Sequence, residues 1–531
     1  MGDREGQAVV LGASIAGLLA ARVLADLFDT VVVIERDHLP ANPEQRRGVP
    51  QGKQIHGLLT GGQRVLEELL PGLTAQLAAD GAPVVDALAD IRLSFNGHRL
   101  RQATSGLTHL SASRPLLEHH IREHTRSVPN ISVVDSTEVS DLVGRKGSVS
   151  GVRVLRRGGR RAEDVDADLV VDACGRGSRT SQWLTELGYQ TPPIEQIPID
   201  LGYTTRRFHL PADLLDGDVG VLHAPTPSRP RGAALARLEN DIWMLTLIGV
   251  RADHPPAGID GFAAFAASVA CDEIHTAIRE GEPIDNPIFF RFPASVRRHY
   301  ERVRLPRNLV VLGDSLCSFN PVYGQGMTVA ALEAHALRDR LSGDPDTSSK
   351  PVMASLARIV DVPWRLSTAA DRPFLPVART SRQRSTVLDR YIERVLTAAT
   401  HDPAAGRAFL RVSGLLDPPQ ALIHPDIFRR TLRPQPTAAS AHRTVEQPSD
   451  PDPLNARGNS AWWLFGVIGA AALLKPILVT AGIVAATTWL RALRRRNGTL
   501  HSGPEHVGHH PTGTATPHHR DVCRQKPPTT R

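Results

Sequence analysis

The amino-acid sequence predicts an α/β protein in which a Rossmann-like dinucleotide-binding domain is interleaved with a second, mainly antiparallel β domain and followed by C-terminal helices. Three observations carry this expectation. Residues 8–35 read as strand, glycine turn, helix and second strand; the strand-like run 167–171 ends in a polar, glycine-bearing turn, 172–179; and the strand-like run 308–312 ends in Gly313-Asp314-Ser315. Strand-like runs alternating with helical spacing indicate a parallel sheet, whose ligands sit outside the carboxyl ends of the strands.

In the first unit, Gly12 permits a tight turn, small Ser14 lets the backbone approach a pyrophosphate, and Gly17 lets the helix pack on its strand. The helix N-terminus then receives the negative charge. Glu35, followed by Arg36, lies 23 residues beyond Gly12, where a carboxylate accepts hydrogen bonds from a ribose diol. Segment 46–56 is polar and glycine-rich and contains Gln51 and His56; loops of this kind after a nucleotide-binding unit often line a site. Two readings stand for His56, facing a ligand or serving the structure.

Helical spacing at Val65, Leu66, Leu69 and Leu70 predicts a helix, and Asn96-Gly97 predicts a hairpin within 83–103. Ser113 starts a helix running to about residue 126, and Arg114 at that start either reaches a phosphate or is solvated. Further strands are expected at 131–134, 149–154 and 167–171. From about residue 192 to 293, strand-like segments at 201–208, 233–238 and 242–250, with a helix near 262–270, predict the antiparallel second domain. Within it Trp243 reads either as a pocket wall or as core. An aspartate ending a buried strand is costly unless paired, so a hydroxyl-rich ligand accounts for Asp314. Gly324-Gln325-Gly326 opens the next helix with backbone N–H groups and a positive dipole end.

The chain has 531 residues, 41% hydrophobic and 22% charged, enough for two or three domains with a large core. Its net charge is +7, but the tail from Arg491 onward carries +6 of it, so a nucleic-acid groove on the body is unsupported. Cys174, Cys271, Cys317 and Cys523 show neither Cys-x-x-Cys nor metal-ligand spacing, which predicts a reducing compartment and no metal site. The polar start, Met1-Gly2-Asp3-Arg4-Glu5, reads as carrying no secretory signal.

With the third motif in place, the sequence resembles the flavoprotein monooxygenases of the para-hydroxybenzoate hydroxylase type, nearest to bacterial squalene-epoxidase-like and polyether-epoxidase-like members, over roughly residues 7–430. All three motifs occur in the family's order. The resemblance implies a GR2-type FAD-binding domain in which Gly12, Ser14, Gly17, Glu35 and Arg36 hold the ADP half of FAD, Arg114 lies near the pyrophosphate and Val139 beside the adenine. It implies that the turn bearing Asp172 and Gly175 supports FAD and meets NAD(P)H, and that Asp314 binds the ribitol and pyrophosphate region. Pro321, Gly324, Gln325, Gly326 and Met327 would run along the isoalloxazine. Two departures stand out: Asp172-Ala173-Cys174-Gly175 replaces the commoner Asp-Gly wording, and Cys317 stands where many relatives have histidine. The implied chemistry is reduction of FAD by NAD(P)H, addition of O₂ at flavin C4a and delivery of one oxygen atom to a substrate. No convincing acid/base pair accompanies the motifs, which suits alkene epoxidation more than phenol hydroxylation. Gln51, His56, Trp243 and Tyr323 are the candidate pocket residues, and no catalytic residue is assigned.

The expected organisation is FAD-binding at 1–80, 106–190 and 301–345, a substrate-domain hairpin at 81–105, the substrate domain at 191–300, and a helical region at 346–432. A Pro/Ser/Thr/Ala-rich linker, 433–460, is expected to be disordered and precedes an apolar segment, 461–490, flanked by Trp462, Trp463 and Trp489 and bounded by arginines. That segment reads as membrane attachment, either a single span or a re-entrant hairpin turning at Lys475-Pro476. Hairpin arms of this length reach ~20 Å at ~1.5 Å per residue, short of the ~30 Å hydrocarbon core, and keep both ends on the cytoplasmic face. In the basic tail, 491–531, six histidines read either as metal ligands or as solvated residues. The expected activity is oxygenation of a lipophilic molecule such as a polyketide polyene or terpenoid. A flavin-dependent reductase of isoprenoid double bonds and a membrane-tethered non-catalytic scaffold are the alternatives.

Overall fold

The computed structural model describes residues 4–145, 147–343, 349–375 and 387–433. The linker beyond Arg433, the apolar segment 461–490 and the tail 491–531 lie outside the described residues. Among the described residues no helix is long and apolar enough to cross a membrane.

A five-stranded parallel sheet runs in the order Leu309–Val311, Leu169–Asp172, Arg4–Leu11, Phe28–Ile34, Ile131–Val134. Its central strands are apolar on both faces because both faces are covered: Ala8, Val9, Val10 and Leu11 are fully buried, as are Val31 and Val33. Helices Ile15–Leu24, Arg114–Arg126, Gln325–Gly343 and Ser349–Asp371 share this core through Leu18, Leu117, Leu337 and Leu356. The three motif-bearing turns all leave the carboxyl edge of this sheet. Asp172 is the last paired residue of its strand, opposite Leu11 and Val311, rather than the first residue of the turn.

A second sheet of eight strands is antiparallel except at one junction, where Gly220–His223 runs parallel to Ile91–Phe95. The Asn96-Gly97 turn, with φ of 49° and 80°, closes the hairpin of Ile91–Phe95 with His98–Arg99, so residues 91–99 extend the sheet built mainly from 201–292. Strand Trp243–Val250 is buried along its whole length because its two faces meet different partners. Trp243, Leu245 and Leu247 pack with Phe262, Phe265 and Ile274 of the helices Ile259–Ser268 and Asp272–Glu280. The alternate residues Thr246 and Ile248 face a cavity. The strand expected at 149–154 is the middle of an antiparallel meander, Thr137–Arg145, Ser148–Arg156 and Glu163–Asp166, whose two outer strands were not legible in the sequence.

Candidate active site

A cavity of about 600 Å³ runs from the carboxyl edge of the parallel sheet to the open face of the antiparallel one. At its first end Gly12 adopts φ 96°, and a Cβ there would lie 2.8 Å from the carbonyl oxygen of Ala173, so glycine is required by both conformation and space. Helix Ile15–Leu24 starts directly behind. Its N-cap residue Ser14 makes no side-chain cap bond. Instead the Ser14 hydroxyl accepts from Arg114 Nη2 at 2.8 Å and donates to Glu118 Oε2 at 3.2 Å. The first N–H groups of the helix thus remain available to an anion.

Glu35 lines this end with both oxygens engaged: Oε2 accepts from Ala13 N at 2.8 Å and Oε1 from Asp37 N at 2.9 Å. Arg46 Nη1 adds a contact to Oε2 at 3.2 Å. A carboxylate offers about four acceptor sites, so Oε1 keeps one for a further donor. Arg46 also donates to Glu118 Oε1 at 2.6 Å, and Arg114 Nε donates to Glu118 Oε2 at 3.0 Å. Burial works against the charge on Arg46, but Glu118, Glu35 and Asp37 outweigh it and hold the guanidinium above its usual range. Burial likewise opposes the charge on Glu118, and Arg114 and Arg46 overcome it and pull the carboxyl down. Arg46 and Glu118 were not singled out from sequence. The Arg114–Glu118 spacing of i, i+4 on a helix was the available signal.

Arg36, Val139, Gly175 and Arg176 line the middle of the cavity with Asp314. Burial pushes the Asp314 carboxyl up, opposed by the charges of Arg176, Arg114 and Arg298. Arg176 is fixed by Ser318 Oγ at 2.7 Å and stacks over the Phe292 ring at 4.5 Å. Beneath the turn, Glu333 is fully buried and accepts from Gly313 N at 2.6 Å. Burial, with Asp314 nearby, raises its carboxyl to about 8.

At the far end Pro321, Val322, Gly324, Gly326 and Met327 face the strands that supply Tyr203, Leu222, Ala234, Thr246, Ile248, Phe290 and Phe292. Gly324 takes φ 64°, which turns the chain into helix Gln325–Gly343. The loop carrying Gln51 and His56 forms the side wall. It is fastened to the floor by Gln54, whose Oε1 accepts from Thr205 Oγ1, itself 2.6 Å from Thr246 Oγ1. His56 Nδ1 donates to the Gln54 carbonyl at 2.9 Å. Burial first, and Arg114 second, lower the imidazole to about 4, so it is neutral near pH 7 with Nε2 free of a proton.

Five sequence-selected residues stand away from the cavity lining. Gly17 lies under the turn, where a Cβ would overlap the Gly12 carbonyl oxygen. Asp172 is fully buried and spent on the protein: it accepts from Cys174 N at 2.9 Å, Thr180 Oγ1 at 2.7 Å, Ser315 Oγ at 3.2 Å and the Ser178 hydroxyl. It therefore ties two turns together rather than facing a ligand. Gln325 is buried behind Gly326. Trp243 is core, because the period-two alternation of its strand points it at the helices. Tyr323 turns its hydroxyl to Asp371 Oδ1 at 2.8 Å.

The arrangement fits a flavin dinucleotide. A glycine-spaced helix start, a carboxylate with a spare acceptor site and a buried Asp314 follow one another along a single cleft that ends on an apolar floor. No protein-family model matches the chain. It is 35% identical over 436 residues to Protein Rv3254 of Mycobacterium tuberculosis, covering 78% of this chain and 91% of that protein. It is 26% identical to kynurenine 3-monooxygenase of Salinispora tropica, covering 75% and 86%, and 26% identical to squalene monooxygenase SE1 of Panax ginseng, covering 63% and 58%. Among solved structures, a flavoprotein/dehydrogenase from Cytophaga hutchinsonii matches with a TM-score of 0.57 at 13% identity, covering 80% and 96%. The p-nitrophenol 4-monooxygenase PnpA of Pseudomonas putida matches with 0.53 at 16%, covering 78% and 99%. The chain belongs to the family of Protein Rv3254 and has the fold of the flavin-dependent monooxygenases.

Proposed function

We propose that the protein is an FAD-dependent monooxygenase that uses NAD(P)H and O₂ to epoxidise, or else hydroxylate, a lipophilic small molecule. The observation that carries this reading is the continuity of one cleft, from a charged dinucleotide end to an apolar floor, with the Pro321–Tyr323 turn and Gly324 at the junction. FAD bound there would supply electron transfer from NAD(P)H and transfer of one atom of O₂. Toward it Glu35 would accept from the ribose, the N–H groups behind Gly12 would meet the pyrophosphate, and Asp314 would lie along the ribitol. The N-terminus of helix Gln325–Gly343, at Gly326 and Met327, would favour negative charge on the ring system.

The floor side chains Leu222, Ala234, Ile248 and Phe290 exclude water and carry no ionisable group, and His56 is neutral. The side chains that line the floor thus supply no ionised base, and the Asp371 carboxyl behind them is engaged by Asn320 and Tyr323, which favours epoxidation, a reaction that needs no deprotonated substrate. The relatives named above as kynurenine and squalene monooxygenases support oxygen insertion over the reductase alternative. Attachment to a membrane through 461–490 rests on the sequence; deleting everything from Arg433 onward should leave a flavoprotein that no longer sediments with vesicles. The decisive test of the reaction is NAD(P)H consumption with and without O₂, followed by mass spectrometry of product formed under ¹⁸O₂. One labelled oxygen atom per product is expected, and a saturated, unlabelled product would replace this reading with the reductase.

A further inference from the structure

Where the antiparallel sheet meets the turn after Asp314, three buried polar side chains gather in apolar surroundings. Tyr203 lines the cavity, is 5% exposed, and its hydroxyl has no hydrogen-bond partner among the described residues. Its neighbours are Ile199, Ile248, Phe290, Phe292, Val322 and Phe374. Asp371, the last residue of helix Ser349–Asp371, is fully buried; its Oδ1 accepts from Asn320 Nδ2 at 2.7 Å and from Tyr323 at 2.8 Å, and its Oδ2 has no partner among the described residues. Among the described residues no basic side chain forms an ion pair with it. Among the described residues, the groups that face Asp371 are Asn320 and Tyr323 from the turn, and Tyr203 from the sheet is within its electrostatic reach.

A buried hydroxyl without a partner is costly, of the order of 1–3 kcal/mol, so the pocket gains by offering it an oxygen atom. We propose that Tyr203 is the polar anchor of the pocket, taking an uncharged hydroxyl or carbonyl oxygen on an otherwise apolar substrate, and that Asp371 is a positioning residue that holds the turn and repels carboxylates. The proposal rests on the reading of the floor as the substrate's place. Asn320 and Tyr323 spend their hydrogen bonds on Asp371 and Thr246 is paired with Thr205, which leaves Tyr203 as the floor hydroxyl without a partner among the described residues. Burial and the charge of Asp371 both hold the Tyr203 phenol in its protonated form, so it stays a donor. Burial also raises the Asp371 carboxyl to about 6, partly offset by its bonds from Tyr323 and Asn320. Above that pH the corner is anionic and excludes a carboxylate; below it the exclusion lapses.

The test is binding of three ligands on one skeleton, farnesol, the hydrocarbon farnesene and farnesoic acid, to the full FAD-loaded chain, read without turnover from the flavin absorbance. Farnesol should bind at least tenfold more tightly than farnesene, a difference of about 1.4 kcal/mol. Tyr203→Phe should bring farnesol down to farnesene while leaving farnesene unchanged. Farnesoic acid should bind weakest at pH 8 and tighten as pH falls through about 6. Asp371→Asn keeps the acceptor for Tyr323 and should remove the component centred at about 6, leaving only the titration of the ligand's own carboxyl at the lower pH of an ordinary carboxylic acid, which a purely structural role would not do. Equal binding of farnesol and farnesene, or an equal loss of both in Tyr203→Phe, overturns the anchor. An unaltered acid profile in Asp371→Asn overturns the positioning role. Failure of all three ligands to perturb the flavin contradicts the apolar-substrate reading, and the anchor with it; failure to load FAD contradicts the flavoenzyme reading separately.

Discussion

The two ends of the cleft are built on opposite principles. At the dinucleotide end, Glu35, Arg46, Arg114 and Glu118 are buried charges that hold one another in place before any ligand arrives, with one acceptor site of Glu35 left over. At the floor, Tyr203 is buried among aliphatic and aromatic side chains, its hydroxyl without a partner among the described residues. The first end is preorganised and specific for one kind of ligand, because every charge already has its place and little reorganisation accompanies binding. The second presents shape and few polar groups, so its selectivity lies in what it excludes.

Breaking the first end should have the largest effect. Gly17→Val places side-chain atoms on the Gly12 carbonyl oxygen, and the expected product is protein that neither retains flavin nor folds stably. Next comes Glu118→Ala, which strips Arg46 and Arg114 of their shared partner and leaves buried cations behind. About 3–5 kcal/mol of stability should be lost in urea unfolding, and a smaller effect than that of an exposed pair would mean the network is open to solvent.

Glu333 gives a prediction with a sign. Its folded value, about 8, exceeds the ordinary 4.5, so its contribution is whole below 4.5 and fades as pH rises until it is lost above about 8. Glu333→Gln keeps an acceptor for Gly313 and escapes that loss. The variant should match the parent near pH 4 and exceed it by a few kcal/mol above pH 8, measured by thermal unfolding at a series of pH values. A constant offset at all pH values would show that the carboxyl titrates normally.

Smaller effects distinguish the two faces of the antiparallel sheet. Ala234→Phe fills the floor and should weaken farnesol binding about tenfold or more while sparing FAD. Trp243→Phe, on the helix side, should cost about 1–3 kcal/mol of stability and leave ligand affinity unchanged. Reversed outcomes would mean that the sheet presents its other face to the cavity.

Much of the charged end was legible in the sequence because its determinants are local. Gly12, Ser14 and Glu35 fall within one strand-helix-strand unit, and Asp314 and Gly326 within one turn and helix start, so spacing alone brings them to the sheet edge. The Arg46–Glu118 pair was not legible, since it joins residues 72 apart in sequence. Asp172 was misread for a related reason: the parallel pairing with Leu11 and Val311 carries it one position into the sheet, where hydroxyls claim its carboxylate. The floor was hidden almost entirely. Leu222, Ala234, Thr246 and Tyr203 come from four strands whose order is set by tertiary pairing, and only the parity of Trp243 against Thr246 was available in advance.

The central claim is that this one cleft holds FAD by its charged end. Titration of the purified full chain with FAD tests it most directly. One equivalent should bind per chain, with a flavin band near about 450 nm that farnesol perturbs and Gly17→Val abolishes. A chain that stays colourless after FAD is added and the excess removed would contradict it.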